Sequence, residues 1–188
     1  TVEHCFKVDV DHYIRLNFNS VEQIIDKVDG VQIELSSREA EALNYSMNLD
    51  GGSGKKLVTG LNSMDGKTAL AFARLRKIDS DWRRVERQRK VILAVVDKLK
   101  GSGLLTLNDL ANEVLPLIQT NLSKLEIAEL ILYAPNFLRA EFDQMTIPKE
   151  GTYGGMYIMG GRAGFAVDYE VNNKILHDFL YGEEETIE

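Results

Sequence analysis

Arg74-Leu75-Arg76-Lys77-Ile78-Asp79-Ser80-Asp81-Trp82-Arg83-Arg84-Val85-Glu86-Arg87-Gln88-Arg89-Lys90 is a cationic island in an acidic chain. Its eight Lys and Arg stand against three acids. That is a local +5 within 188 residues of formal net charge −7, so the remainder carries −12. Like charges at that density repel one another unless an anion sits among them. From Trp82 onward, Trp82, Val85, Ile92, Leu93, Val96 and Leu99 recur at helical spacing and predict a buried stripe on a helix from about Asp81 to Leu99. Arg84, Arg87 and Gln88 fall on one side, with Arg84 and Gln88 on the shoulder of the stripe. Guanidinium forks beside an amide suit a partly buried phosphate that accepts bidentate hydrogen bonds. Charge alone leaves two other readings open, an i,i+4 salt-bridged surface and a nucleic-acid contact helix.

Outward from the island, alternation over residues 6 to 18 predicts extended segments. Ser20 is a candidate N-cap for a helix through Val21, Ile24, Ile25 and Val28 that stops at Gly30. Val31 to Leu35 alternates strictly and reads as a strand, Ser36 to Leu49 as a weak helix, and Gly51 to Gly54 as a loop. A helix from Asp65 to about Arg74, capped by Asp65 or Ser63, precedes the island. Beyond Lys100-Gly101-Ser102-Gly103, helices are expected over Thr106–Leu117 and Ser123–Leu132. Short strands and turns punctuated by Pro135, Pro148 and the glycines from 151 to 164 follow. Val171 to Leu180 reads as a last amphipathic helix, and 183–188 as a disordered acidic tail. Strands interspersed with many helices, without repeat or linker, predict one α/β or α+β domain over residues 1–182.

A 44% hydrophobic and 27% charged composition suits a globular domain with a sizeable core. The acidic balance argues against a general DNA-binding or anionic-membrane-binding surface. Cys5 is the only cysteine, so no internal disulfide can form. Gly60 to Thr68 superficially resembles a phosphate loop. That motif needs glycine five residues before its Gly-Lys-Thr glycine, where Leu61 stands, and no apolar strand leads into it. Asp79 and Asp81 could hold a divalent metal. Set between Arg76 and Arg84, they more readily orient guanidiniums. His4, His12 and His177 lack partners at ligand spacing and read as structural, as does Trp82 as core. Arg162, on a glycine-rich hairpin, reads as an exposed turn residue.

Residues 65–76, Asp-Gly-Lys-Thr-Ala-Leu-Ala-Phe-Ala-Arg-Leu-Arg, followed by 79–89, Asp-Ser-Asp-Trp-Arg-Arg-Val-Glu-Arg-Gln-Arg, resemble the signature of the LytR-CpsA-Psr family. The resemblance extends to Asp11-His12-Tyr13 and Ile24 to Val31 on one side, and to Met145 through Tyr153 on the other. It implies an open mixed β-sheet flanked by helices. Family domains begin with further strands and acidic motifs that have no counterpart before Thr1, so this chain reads as the C-terminal portion of the domain. The implied activity is a phosphotransfer that moves an anionic glycopolymer, such as a teichoic acid or capsular polysaccharide, from a polyprenyl pyrophosphate carrier to peptidoglycan. The implied location is the extracytoplasmic face of a bacterial membrane, with an anchoring helix outside this chain.

By the same resemblance, Arg84 and Asp81 are the expected catalytic residues, and Arg74, Arg76, Arg87 and Gln88 the pyrophosphate-binding ones. Mg2+ is the expected cofactor, held by carboxylates outside the chain, so no residue here is assigned as a metal ligand. This portion alone is expected to be inactive yet to bind the lipid. A non-catalytic polyprenyl-phosphate or glycopolymer-binding module and a transcriptional regulator are the alternatives. The −12 balance outside the island speaks against nucleic acid as a partner.

Overall fold

The computed structural model describes residues 1–48, 55–76, 78–159 and 162–182. The chain divides into two compact units, one of residues 12–140 and one of 1–11 with 141–188, where the sequence suggested one domain. The expected glycine loop at 51–54 and the acidic tail at 183–188 lie outside the described residues.

In the larger unit, β1 (Ile14–Arg15) is followed by α2 (Phe18–Lys27), the five-residue helix α1 (Val2–Phe6) belonging to the other unit. The cap of α2 is Asn17, whose side chain accepts from the Ser20 amide at 2.8 Å. Ser20, the expected cap, is instead buried inside the helix, because the helix begins one turn earlier than its apolar spacing suggests. The strictly alternating strand is β2 (Val31–Leu35), with Val31, Ile33 and Leu35 buried and Gln32 and Glu34 exposed. A reciprocal Ser36/Glu39 capping box starts α3 (Ser37–Ser46). The antiparallel partner of β2 is β3 (Gly60–Met64), in register Val31↔Met64 and Leu35↔Gly60. A strand therefore does lead into the Gly66-Lys67-Thr68 helix. It escapes hydropathy because Asn62, Ser63 and Gly60 dilute it, and Asn62 is satisfied within its own turn by Val58 and Gly60.

Next come α4 (Gly66–Ala73), capped by Asp65, and α5 (Asp81–Leu99), capped by Ser80. α5 lies against β2 and α4, and α4 packs on α2. Ile25, Val31, Leu43, Ala69 and Phe72 are all but inaccessible at the centre of this assembly. α6 (Leu104–Val114) ends in a 3-10 turn (Leu115–Leu117), β4 (Gln119–Thr120) pairs antiparallel with β1, and α7 (Lys124–Phe137) packs on α6. A second Ser/Glu capping box, Ser123 with Glu126, opens α7. Pro135 sits inside α7 rather than in a turn, two residues before its end.

The smaller unit pairs α1 with α8 (Tyr169–Tyr181) and holds the hairpin β5 (Tyr153–Met159) and β6 (Arg162–Val167). Phe6 belongs to α1, not to an extended segment, and packs edge-on against Tyr169. His177 Nε2 lies 3.0 Å from the Lys7 carbonyl oxygen, a structural placement. Fully buried Asn172 ties the turn before β5 to the start of α8. Its side chain accepts from the Lys149 amide at 2.9 Å and donates to the Asp168 carbonyl at 2.6 Å. The α/β class stands. In place of one open mixed sheet, the described strands form three two-stranded antiparallel sheets flanked by helices.

α2 and α4 come close together at Gly66. A Cβ there would sit 2.0 Å from the Glu22 carbonyl oxygen, and its amide donates to Asp26 Oδ1 at 2.7 Å. Gly66→Ala should therefore push α2 from α4 and destabilise the chain by about 1–3 kcal/mol, as overpacking does. Asp65→Ala should remove the cap at a loss of about 1 kcal/mol. Urea denaturation followed by circular dichroism checks both.

Candidate functional site

The N-terminus of α4 is closed to a ligand. Asp65 Oδ1 accepts from the Thr68 amide at 2.8 Å, Asp26 takes the Gly66 amide, and the Thr68 bond holds the Asp65 carboxyl below its usual range. Two carboxylates thus occupy the donors that a phosphate would need. The superficial phosphate loop is a capped helix start.

The arginines lie at the other end of α4. Arg74 is its C-cap, and Arg74 and Arg76 are exposed on either side of buried Leu75. The Arg74 guanidinium carbon stands 4.2 Å from the centroid of the Phe18 ring, at the start of α2. Phe18 is 59% exposed. A cation over an exposed aromatic face is held in orientation while keeping its hydrogen-bond donors available. Sequence reasoning missed Phe18, because nothing local links position 18 to position 74.

In the first turns of α5, Arg84 is half-buried and Gln88 exposed. Four residues apart, they stack on one face of the helix, with position 81 on the same face one turn earlier. The Asp81 side chain, like those of Lys77 and Arg162, lies outside the described residues.

Arg87 departs from expectation. It is 2% exposed, and its terminal nitrogens donate to Asp79 Oδ2 at 2.7 Å, to Asp79 Oδ1 at 2.9 Å and to the Leu75 carbonyl at 3.0 Å. Glu39 Oε1 lies 3.7 Å away. The fork lowers the Asp79 carboxyl below its usual range and raises the guanidinium further. Arg87, expected among the pyrophosphate-binding residues, is placed here as the residue that ties the α4–α5 turn to α5. Asp79 orients a guanidinium, as its setting implied, and the guanidinium is Arg87.

The apolar stripe needs correction too. α5 turns Arg87 and Val91 inward, with Ala94, Val95 and Leu99 packed on the core, while Ile92 is 63% exposed. Trp82, expected in the core, is half-buried.

Among the described residues, no three His, Cys, Asp or Glu side chains gather as a metal would require. No described helix is long and apolar enough to cross a membrane. Two apolar clefts flank α7. One, of about 570 Å³, lies against α6 and includes Leu104, Leu115, Ile127 and Ile131. The other, of about 500 Å³, lies against β1 and includes Ile14, Leu122, Tyr133 and Phe137.

Two consequences can be measured. Arg87→Ala removes a buried guanidinium and its paired bonds to the solvent-accessible Asp79 carboxylate, and should destabilise the chain by about 1.5–3 kcal/mol, whereas Gln88→Ala should change stability by no more than about 0.5 kcal/mol. Chemical denaturation of the two variants separates them. Because the folded Asp79 carboxyl is depressed, its contribution is present above the unfolded value near 3.8 and is lost as pH falls below that value. Asp79→Asn should flatten that limb of a stability-versus-pH curve.

The chain is 29% identical over 147 residues to the polyisoprenyl-teichoic acid–peptidoglycan teichoic acid transferase TagT of Bacillus subtilis, covering 78% of this chain and 45% of that protein. It is 32% identical over 154 residues to the transferase TagU of Oceanobacillus iheyensis, covering 80% and 44%. The chain thus spans under half the length of these relatives. Its fold matches the solved structure of TagT bound to LIIa-WTA with a TM-score of 0.67 at 24% identity, over 95% of this chain and 64% of that one. It also matches the LytR-CPS2A-psr family protein YwtF (TagT) with bound octaprenyl pyrophosphate lipid, with a TM-score of 0.61 at 20% identity, over 95% and 62%. The sequence profile of the LytR_cpsA_psr family matches residues 1–174, and the chain belongs to that family.

Proposed function

We propose that the protein carrying this chain is a phosphotransferase that moves an anionic glycopolymer from a polyprenyl pyrophosphate carrier to peptidoglycan. Its place would be the extracytoplasmic face of the cell membrane. The observation that carries the reading is the division of labour among the arginines. One guanidinium, Arg87, is spent on structure, and the turn that it holds presents Arg74 and Arg76 outward. The arginines so presented have the chemistry of a pyrophosphate site.

Displacement at a pyrophosphate phosphorus leaves little covalent work for protein side chains. Catalysis rests on positioning and on neutralising the charge that spreads over the non-bridging oxygens and the leaving phosphate. In this reading Arg74 and Arg76 hold the pyrophosphate, with Phe18 steadying Arg74 from behind. Arg84 follows the charge into the transition state, and Gln88 donates its amide N–H to an oxygen. Asp81, on the same helical face, orients an arginine or takes the proton of the attacking hydroxyl. The described residues do not gather a metal-binding set, so no step is drawn through Mg2+, which stays in the proposal as a cofactor of the whole protein. The clefts beside α7 offer apolar surface for a prenyl chain.

Arg84→Ala in the whole protein should slow transfer roughly ten- to hundredfold, the loss of a charge-assisted bond of about 1.5–3 kcal/mol. Stability should fall far less than for Arg87→Ala. Transfer of radiolabelled polymer from a synthetic lipid-linked donor measures the first and denaturation the second. An Arg84→Ala enzyme as fast as the parent would refute the assignment.

A further inference from the structure

The flank of α5 turned away from Arg84 and Gln88 forms a second charged recess. A cleft of about 280 Å³ lies between the start of α3, the α4–α5 turn and this flank. Four cations line it, Arg38, Arg83, Arg87 and Lys90, with the carboxylates of Glu39, Asp79 and Glu86. Arg74, Arg76, Arg84 and Gln88 are not part of its wall. On a helix, positions 83, 87 and 90 form one row, whereas 84 and 88 form another.

The three carboxylates are already engaged. Asp79 receives both terminal nitrogens of Arg87, at 2.7 and 2.9 Å. Glu86 accepts from Arg83 at 2.8 Å. Glu39 closes the capping box, accepting from the Ser36 amide at 3.0 Å and its hydroxyl at 2.8 Å. What the cleft leaves unanswered is positive. Arg87 Nε is buried and has no hydrogen-bond acceptor. The wall keeps a one-charge cationic excess.

We propose that this cleft is a second anion site, which takes a compact oxyanion of the phosphate class. It is distinct from the pyrophosphate-binding arginines and does not rest on the proposed function. Its volume falls at the small end for ligand sites. It suits one phosphate, or one phosphodiester unit of a chain passing across the surface, and is too small for a nucleotide. Arg38 and Lys90, both exposed on its wall, are the donors that an entering phosphate oxygen would meet.

The test is an amide NMR titration of the full chain with inorganic phosphate and, separately, with glycerophosphoglycerol. Saturable shifts are expected at residues 36–39 and 83–90, and they should persist in Arg84→Ala, which disables the other arginine set. Arg38→Ala with Lys90→Ala should weaken binding about tenfold or more, the loss of at least one charge-assisted bond. Lys90→Gln alone, on an exposed side chain, guards against a folding artefact and should weaken it in the same direction. Response to both probes assigns the site to phosphodiesters as well as free phosphate, and response to phosphate alone restricts it to the free ion. Shifts that never saturate, a double variant that binds as tightly as the parent, or shifts lost in Arg84→Ala would overturn the proposal.

Discussion

The fork between the buried guanidinium of Arg87 and the Asp79 carboxylate is the constraint on which the arginine segment depends, because it turns a run of mutually repelling cations into an ordered surface. A guanidinium taken out of water demands an anionic, geometrically matched partner. Asp79 supplies one with both carboxylate oxygens, and the Leu75 carbonyl supplies a further acceptor. Those three residues lie in the turn between α4 and α5 and in the second turn of α5. The bond set therefore fixes how the two helices meet, and Leu75, once buried, leaves Arg74 and Arg76 on the outside. Glu39 at 3.7 Å brings the start of α3 under the same field. One interaction thus couples three helices.

A second constraint acts at the opposite end of α4. Gly66 lets the backbone of α2 approach where any side chain would collide, and Asp26 and Asp65 take the amides exposed by that helix start. With its N-terminus capped by carboxylates, α4 offers nothing to a phosphate there. Its C-terminal end carries Arg74 above the Phe18 ring, which belongs to the same helix, α2, that Gly66 admits. The packing contact and the cationic contact therefore depend on one helix pair. Loss of the Gly66 approach would also displace the aromatic shelf beneath Arg74.

Basic side chains on α5 divide by helical row. Arg84 and Gln88 share one face, Arg83 and Lys90 another, and Arg87 is turned inward between them. The same +5 island is thereby split between a structural contact and outward-facing side chains. The inward residue neutralises itself against Asp79, and Arg83 on the outer row pairs with Glu86. An acidic balance elsewhere in the chain leaves these faces as its concentrated cationic surfaces.

Much of this was legible from sequence. The strict alternation of Val31 to Leu35 determined β2, Asp65 was readable as a helix cap, and the spacing of Arg74, Arg76, Arg84 and Gln88 carried the family signature. These are local signals, set by hydrogen bonds within a turn or by side-chain periodicity. What tertiary structure alone decided was direction. α5 bears apolar residues on two sides, Val91, Ala94 and Val95 on one and Val85, Ile92 and Val96 on the other, so periodicity could not select its buried face. An arginine is the last residue that hydropathy would place at the core, and Arg87 lies there because Asp79, eight residues away and across a turn, meets it. The Phe18 shelf under Arg74 was invisible for the same reason. Such contacts join residues that only the folded backbone brings within a few ångströms, and burial of a charge follows from its partner, not from its own chemistry.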